Sequence, residues 1–332
     1  MATVYPSINW TSSSRPPPAQ ADRVLIALVN GMPAEARPKV ERQFREILAA
    51  AAGTARVDLA CYTLDPNRIT AGAGWQPGEW EHLSSRPPDG LIVTGMAVQA
   101  QRITDEPGWP ALSDLVDLAV SNRIPSVWIC LSAHVAVYRL SAISRRRLEK
   151  KCFGVMTIDR AEPDHPLMAG MPERWHVPHS RFNDIPEDAL RAKGYRILSR
   201  SPECGADNFS LDAPVPFLFC QGHPEYDSRA LVREYRRDVA SYLTGKQASF
   251  PHLPANTFPA STSEFLSRFS AQAGPGGKPE PLAALDHALR GVASQTDWSP
   301  VTHRLYANWL SMVVRQKGHR VPLAVPAAPQ FV

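Results

Sequence analysis

The chain has 332 residues, 44% of them hydrophobic and 20% charged, with 36 Lys+Arg against 32 Asp+Glu for a net charge of +4. At about 150 residues per domain this length makes two domains, or one large α/β domain with additions, and the apolar share excludes a globally disordered chain. The small, dispersed positive excess leaves no clustered footprint for nucleic acid, and no apolar run approaches the length of a bilayer span.

Residues 1–21 read as a flexible Pro/Ser arm, without the charged and then apolar pattern of a secretory signal. A strand–helix rhythm follows. Residues 24–30 (VLIALVN) form a buried strand closed by Gly31 and Pro33. Residues 34–52 carry Val40, Phe44, Ile47 and Leu48 at helical spacing. Strands are expected at 57–64 and 90–95, a helix at 112–122, a strand at 126–132 and a helix at 133–142. Residues 146–214 read as an irregular, polar insertion over the sheet. A last strand at 215–221 leads into a helix at 227–243, with Leu231, Tyr235, Val239 and Tyr242 on one side. Residues 245–281 read as a Pro/Gly/Ser-rich linker, followed by two short helices around 281–292 and 301–314 and a Pro/Ala tail. Strands apolar on both faces that alternate with helices predict a mostly parallel sheet covered on both sides. In such sheets ligands bind at the carboxyl ends of the strands.

Three strand ends carry candidate chemistry. Cys130 closes one strand just before a helix, the placement of a nucleophile elbow. The helix N-terminus there favours a thiolate, and the Leu131 amide is placed to bind an oxyanion. The alternative for Cys130 is a small core hydrophobe, the role expected of Cys61 and Cys220. Gly222-His223-Pro224-Glu225-Tyr226 follows another strand: His223 would act as base and Glu225 as its orienting partner, which with Cys130 makes an activated-thiolate set. Thr94-Gly95 ends a third strand and permits close ligand approach. The basic run Ser144-Arg145-Arg146-Arg147, with Lys150 and Lys151, is either a solvated face or a contact for an anionic ligand. Five widely spaced cysteines, an odd number with no C-x-x-C pair, argue against a disulfide framework or zinc knuckle. No G-x-G-x-x-G, Walker or H-E-x-x-H pattern is present, so neither a metal nor a dinucleotide cofactor is expected.

Several segments together resemble the homoserine O-succinyltransferase/O-acetyltransferase family, the cysteine-dependent type with a class I glutamine amidotransferase-like fold. They are Asn30-Gly31-Met32-Pro33, Glu81-His82-Leu83, residues 89–95 (DGLIVTG), the strand-end Cys130, Pro178-His179-Ser180-Arg181-Phe182, residues 222–227 (GHPEYD), residues 234–238 (EYRRD) and Asn308-Trp309-Leu310, over roughly residues 23–315. The resemblance implies a flavodoxin-like three-layer α/β domain over 22–245. A linker and C-terminal helices packed on that domain would cover 246–315, and 316–332 would be a tail.

For the chemistry, the resemblance implies ping-pong acyl transfer from acyl-CoA, as a substrate rather than a bound cofactor, to L-homoserine in methionine biosynthesis. Cys130 would carry the acyl group as a thioester, with His223 as base and Glu225 orienting it. Lys151 would contact substrate, Ser180 the amino acid, and Arg237 would pair with the homoserine carboxylate. The chain departs from the family after its nucleophile (Cys130-Leu131-Ser132-Ala133-His134 where Trp and Gln are usual). It departs again at Met96-Ala97-Val98-Gln99, where Gln99 takes the place that goes with succinyl or acetyl choice. A neutral glutamine does not repel a succinyl carboxylate and Arg102 is close in sequence, so succinyl-CoA is favoured slightly over acetyl-CoA. Other readings are an acyltransferase for a related hydroxy amino acid such as serine, a glutaminase- or thioesterase-like hydrolase, and a non-catalytic relative. The expected setting is cytoplasmic, with small-molecule partners, neither nucleic acid nor membrane, and a homodimer left open.

Overall fold

The structure, a computed structural model, describes residues 3–5, 23–65, 75, 78–274 and 279–318. In chain order the first strands are β1 (Thr3–Tyr5), β2 (Arg23–Asn30), β3 (Arg56–Thr63), β4 (Gly90–Val93), β5 (Ser126–Ile129), β6 (Arg146–Arg160) and β7 (Arg174–Asp184). β8 (Arg196–Ile197), β9 (Ser199–Ser201), β10 (Gly205–Ala206), β11 (Asn208–Leu211) and β12 (Phe217–Cys220) complete them. The helices are α1 (Arg37–Ala51), α2 (Glu79–Ser85), α3 (Trp109–Ser121), α4 (Leu131–Ser141), α5 (Glu187–Ala192), α6 (Ala230–Leu243), α7 (Ala260–Gln272), α8 (Pro279–Ala288) and α9 (Ser299–Gly318).

The main sheet has the order β1-β3-β2-β4-β5-β12-β11-β8. Its central strands β3, β2, β4, β5 and β12 run parallel, while β1, β11 and β8 add antiparallel at the edges. The period-2 geometry of a strand divides β2 between two cores. Val24, Ile26 and Leu28 face one core, Ala27 and Val29 the other, and all are buried. One face is covered by α2–α5. The other is covered by α1, α9 and the inner residues of a second sheet, with Phe44 edge-on to Tyr306 at 6.1 Å. This is the expected α/β fold, a mainly parallel sheet flanked by helices with a C-terminal helical extension. A third apolar cluster joins α6, α7 and α8 to Phe153 and Val155 of β6. No described helix is long and apolar enough to cross a membrane.

Four expectations are corrected. The stretch 146–214 is regular: β6 and β7 form a long antiparallel pair that β9 and β10 extend into a four-stranded sheet. The 245–281 linker contains α7, whose Leu266 is buried and whose Phe269 packs on Phe250; residues 275–278 lie outside the described residues. Cys152 and Cys204 form a disulfide (S–S 2.08 Å), because the second sheet brings β6 against the turn between β9 and β10. Cys61, Cys130 and Cys220 are free and buried. Within the N-terminal arm Thr3–Tyr5 pairs with β3, while the rest of 1–22, like 319–332 of the tail, lies outside the described residues. Gly154 (φ +140°) allows the 250s to reach β6: Val155 N donates to Ala255 O and Ala255 N to Phe153 O, both at 2.9 Å. A Cβ at Gly154 would lie 2.4 Å from the Ala255 backbone.

Candidate active site

Cys130 is the hinge between β5 and α4, with φ 52° and ψ −116°. A non-glycine residue in that region costs of order 1–3 kcal/mol and needs surrounding support. The support is local. Cys130 N donates to Cys220 O (2.8 Å). Ser132 Oγ accepts from Ile129 N (2.9 Å) and donates to Val93 O (3.0 Å), tying the turn to the ends of β4 and β5. Leu131 begins α4, so its N–H belongs to a free helix N-terminus. The β4 loop passes close by at Gly95, where a Cβ would lie 3.2 Å from Cys130 Cβ and 3.5 Å from His223 Cε1. A side chain at Gly95 would therefore fill the space between Cys130 and His223.

His223 enters from the end of β12. Its N–H donates to Pro178 O (2.8 Å), and its ring Nδ1 lies 2.8 Å from Glu225 Oε1. The Cys130 side chain adjoins the ring across Gly95, and its interaction with the imidazole raises the ring's pKa. Both His223 and Glu225 are buried. Burial alone would lower the imidazole pKa, but the charges and hydrogen bonds of Glu225 and Cys130 outweigh it and hold His223 well above its usual value. Imidazolium is thus stabilised between two acidic groups, the arrangement that activates a thiol.

A second cluster lies against this one. The Tyr226 ring stacks on His223 at 4.2 Å, and its hydroxyl donates to Glu234 Oε1. Ser180 Oγ of β7 donates to the other oxygen of Glu234. Lys151 Nζ lies 3.0 Å from Asp238 Oδ2 and 4.0 Å from Glu234, over the Phe153 ring at 3.8 Å. Arg237 pairs with Asp238 Oδ1 (2.8 Å). Partial burial alone would lower the pKa of its guanidinium, but Asp238 and Glu234 raise it. Ser180, Lys151 and Arg237 therefore gather around two carboxylates, next to His223. Gln99 stands apart from this cluster, on the loop after β4, with its N–H donating to Glu106 Oε2 (2.9 Å).

The sequence reading assigned no role to Glu234 or Tyr226, although both lie in the motifs it quoted. It also missed a buried polar layer behind the site. Arg181 donates to Asn183 O (2.8 Å), Asp184 Oδ1 (3.1 Å) and Cys204 O, and its charge acts on Cys130. Gln221 joins that layer to α4: its Nε2 donates to Asp184 Oδ1, and its Oε1 lies 3.2 Å from His134 Nε2. Burial first, then the charges of Arg181 and Arg145, push the His134 pKa down to about 3, so its ring is neutral. Among the described residues no group of three or more His, Cys, Asp or Glu could hold a metal ion.

The family model described as homoserine O-succinyltransferase matches residues 5–320, almost the whole chain. The chain belongs to the homoserine O-succinyltransferase family. Two similar members are proteins named homoserine O-succinyltransferase from Methylorubrum extorquens and Rhodopseudomonas palustris. The first is 38% identical over 306 residues, 90% of this chain and 89% of that protein. The second is 36% identical over 314 residues, 93% of this chain and 94% of that one. Among solved structures, a glutamine amidotransferase from Methylobacillus flagellatus is similar at 18% identity and a TM-score of 0.49, covering 88% of this chain and 95% of that one.

In this member of the homoserine O-succinyltransferase family the C-terminal helix reaches the His223 loop. Thr302 Oγ1 of α9 donates to Pro224 O (2.9 Å), and Trp298 Nε1, just before α9, donates to Tyr226 O (2.7 Å). Farther along α9, Asn308 Nδ2 donates to Leu167 O (2.9 Å) and Ala169 O (2.8 Å), which ties the helix to the segment between β6 and β7. The loop 223–226 is therefore clamped from a segment more than 70 residues later in the chain.

Proposed function

We propose that this chain is a homoserine O-succinyltransferase, transferring succinyl from succinyl-CoA to the hydroxyl of L-homoserine through a thioester on Cys130, in methionine biosynthesis. One observation carries the reading: Cys130, in a positive-φ turn at a helix N-terminus, stands beside the imidazole that Glu225 orients, with only Gly95 between them. The family membership supports it.

The thiol proton passes to His223, and the thiolate attacks the acyl carbon of the donor. The oxyanion forms beside the Leu131 N–H. The C–S bond to CoA breaks, and His223 returns its proton to the CoA sulfur. In the second half, His223 takes the homoserine hydroxyl proton, and the alkoxide oxygen attacks the Cys130 thioester. The tetrahedral intermediate collapses to O-succinylhomoserine, and the thiolate leaves and is reprotonated by His223. Glu225 holds the imidazole in one orientation throughout. Around the acceptor, Arg237 and Lys151 face the carboxylate, the Glu234 carboxylate takes the ammonium, and Ser180 fixes that carboxylate. Tyr226, stacked on His223 and bonded to Glu234, connects acceptor to base.

Intact-protein mass after incubation with succinyl-CoA or acetyl-CoA tests the reading. A gain of one succinyl group, absent in Cys130→Ala and discharged by homoserine but not by serine, is the expected result. A gain from acetyl-CoA alone would change the donor. Release of free acid without an acceptor would make the protein a hydrolase. No gain from either donor would remove the thioester step.

A further inference from the structure

A cavity of about 700 Å³ opens beside α4, lined by Val98, Gln99, Arg102, Tyr138, Arg147 and Asn183 among others, a volume typical of small-molecule sites. Two observations mark it. Val98 (43% exposed) and Phe182 (44%) are the exposed large hydrophobic residues of the described chain. Val98 lines the cavity, and the Phe182 ring lies 5.2 Å from the guanidinium of Arg147, which also lines it. The charge is positive as well. Arg102 is 78% exposed and only loosely opposed by Asp105 at 3.9 Å, and Arg147 is exposed. The third arginine, Arg145, is consumed by the buried Glu106 (2.6 Å), which also accepts from Gln99 N and Ala100 N and so pins the loop that forms one wall.

The cavity is connected to the site. Phe182 also lies 5.5 Å from Lys151 Nζ. Along β7, Ser180 in the acceptor cluster and Asn183 at the cavity are three residues apart, about 10 Å of strand. Along α4, Tyr138 is eight residues from Cys130, about 12 Å of helix. An acyl donor with its thioester at Cys130 has an amide-bearing arm long enough to span such a distance, and a multiply charged phosphate end beyond it. We propose that this cavity and Phe182 bind the CoA portion of the donor. Its phosphates sit against Arg102 and Arg147, and its pantetheine arm runs over Phe182 towards Cys130. The assignment rests on the acyl-CoA reading above.

The test uses the full chain and the double variant Arg102→Glu/Arg147→Glu, with near-UV circular dichroism to show that both are folded. Calorimetric titration with CoA reports the site without turnover. Affinity should fall by at least about tenfold in the double variant, and the loss should shrink as salt is raised. Kinetics then compare succinyl-CoA with succinyl-pantetheine, which lacks the nucleotide phosphates. The rise in donor KM should be several times larger for succinyl-CoA. Equal CoA affinity in the two proteins, or parallel losses with both donors, would overturn the assignment. If the wild type binds CoA in an arginine-dependent way but transfers no acyl group, the site stands and the acyltransferase reading falls.

Discussion

Cys130 is held by its own neighbourhood, His223 by the far end of the chain. The elbow around Cys130 is set by Ser132, two residues on, and by the strand ends at Val93 and Cys220. The His223 loop has Glu225 beside it, but its backbone hangs from Pro178 of β7 and from Trp298 and Thr302 at the start of α9. The proposed nucleophile is thus a product of local geometry on a parallel sheet, whereas the proposed base is a product of tertiary assembly. Damage to one should register mainly in chemistry, and damage to the other in both chemistry and folding.

The largest effect is expected from Cys130→Ala. It should abolish acyl transfer, by at least about 10⁴-fold, with no thioester in the mass spectrum. Its melting temperature should stay close to that of the wild type, because the change removes one sulfur atom and leaves in place the backbone and Ser132 bonds that hold the elbow; a strongly destabilised variant would refute the local view of the elbow. Glu225→Gln keeps the size of the side chain and removes its charge. Turnover should fall by about 10²–10⁴-fold. NMR titration of the His223 ring should move down in pH, since Glu225 is the foremost influence holding it up against burial. Thr302→Val removes the clamp on Pro224 O, isosterically and without touching substrate. A stability loss of about 1–3 kcal/mol in denaturant unfolding is expected. Turnover should drop about tenfold at unchanged homoserine KM. An unchanged turnover would show that α9 does not position the base.

The last effect appears only at acid pH and concerns the side chain that joins the two halves, His134 on α4, in contact with Gln221 ahead of His223. An imidazole that titrates near 6.5 when unfolded and near 3 when folded leaves the unfolded chain binding more protons in between. Stability is then complete above about pH 6.5 and declines as pH falls toward 3. His134→Gln should flatten that acid limb, by up to about 1.4 kcal/mol for each pH unit between those values. A limb as steep as that of the wild type would assign the acid sensitivity elsewhere.

The central strands were legible because each is an apolar run with both faces buried, and the meeting of Cys130, His223 and Glu225 because Cys130 and His223 stand where strands end. The second sheet was not. On β7 the buried positions include His179, Arg181 and Asn183, which a hydropathy pattern reads as solvated. Only Asp184, Asp207 and the carbonyls around them make that burial tolerable. Glu234 was hidden differently. It adjoins Tyr235 on the stripe of α6 that faces the third apolar cluster, and a charged residue at the edge of an amphipathic stripe carries no signal until Ser180 and Tyr226 arrive from other elements. α7 was masked by the Pro, Ser and Gly around it. The covalent pair Cys152 and Cys204 was masked by a separation of 52 residues.

That bond reaches beyond the folded state. It closes a loop containing all of β7, and with it Ser180 and Arg181. A tether of that span removes about 4 kcal/mol of chain entropy from the unfolded ensemble in the loop-closure account. The denatured protein is therefore not a free chain in the segment that carries Ser180: residues 152 and 204 stay neighbours after every hydrogen bond around them has gone.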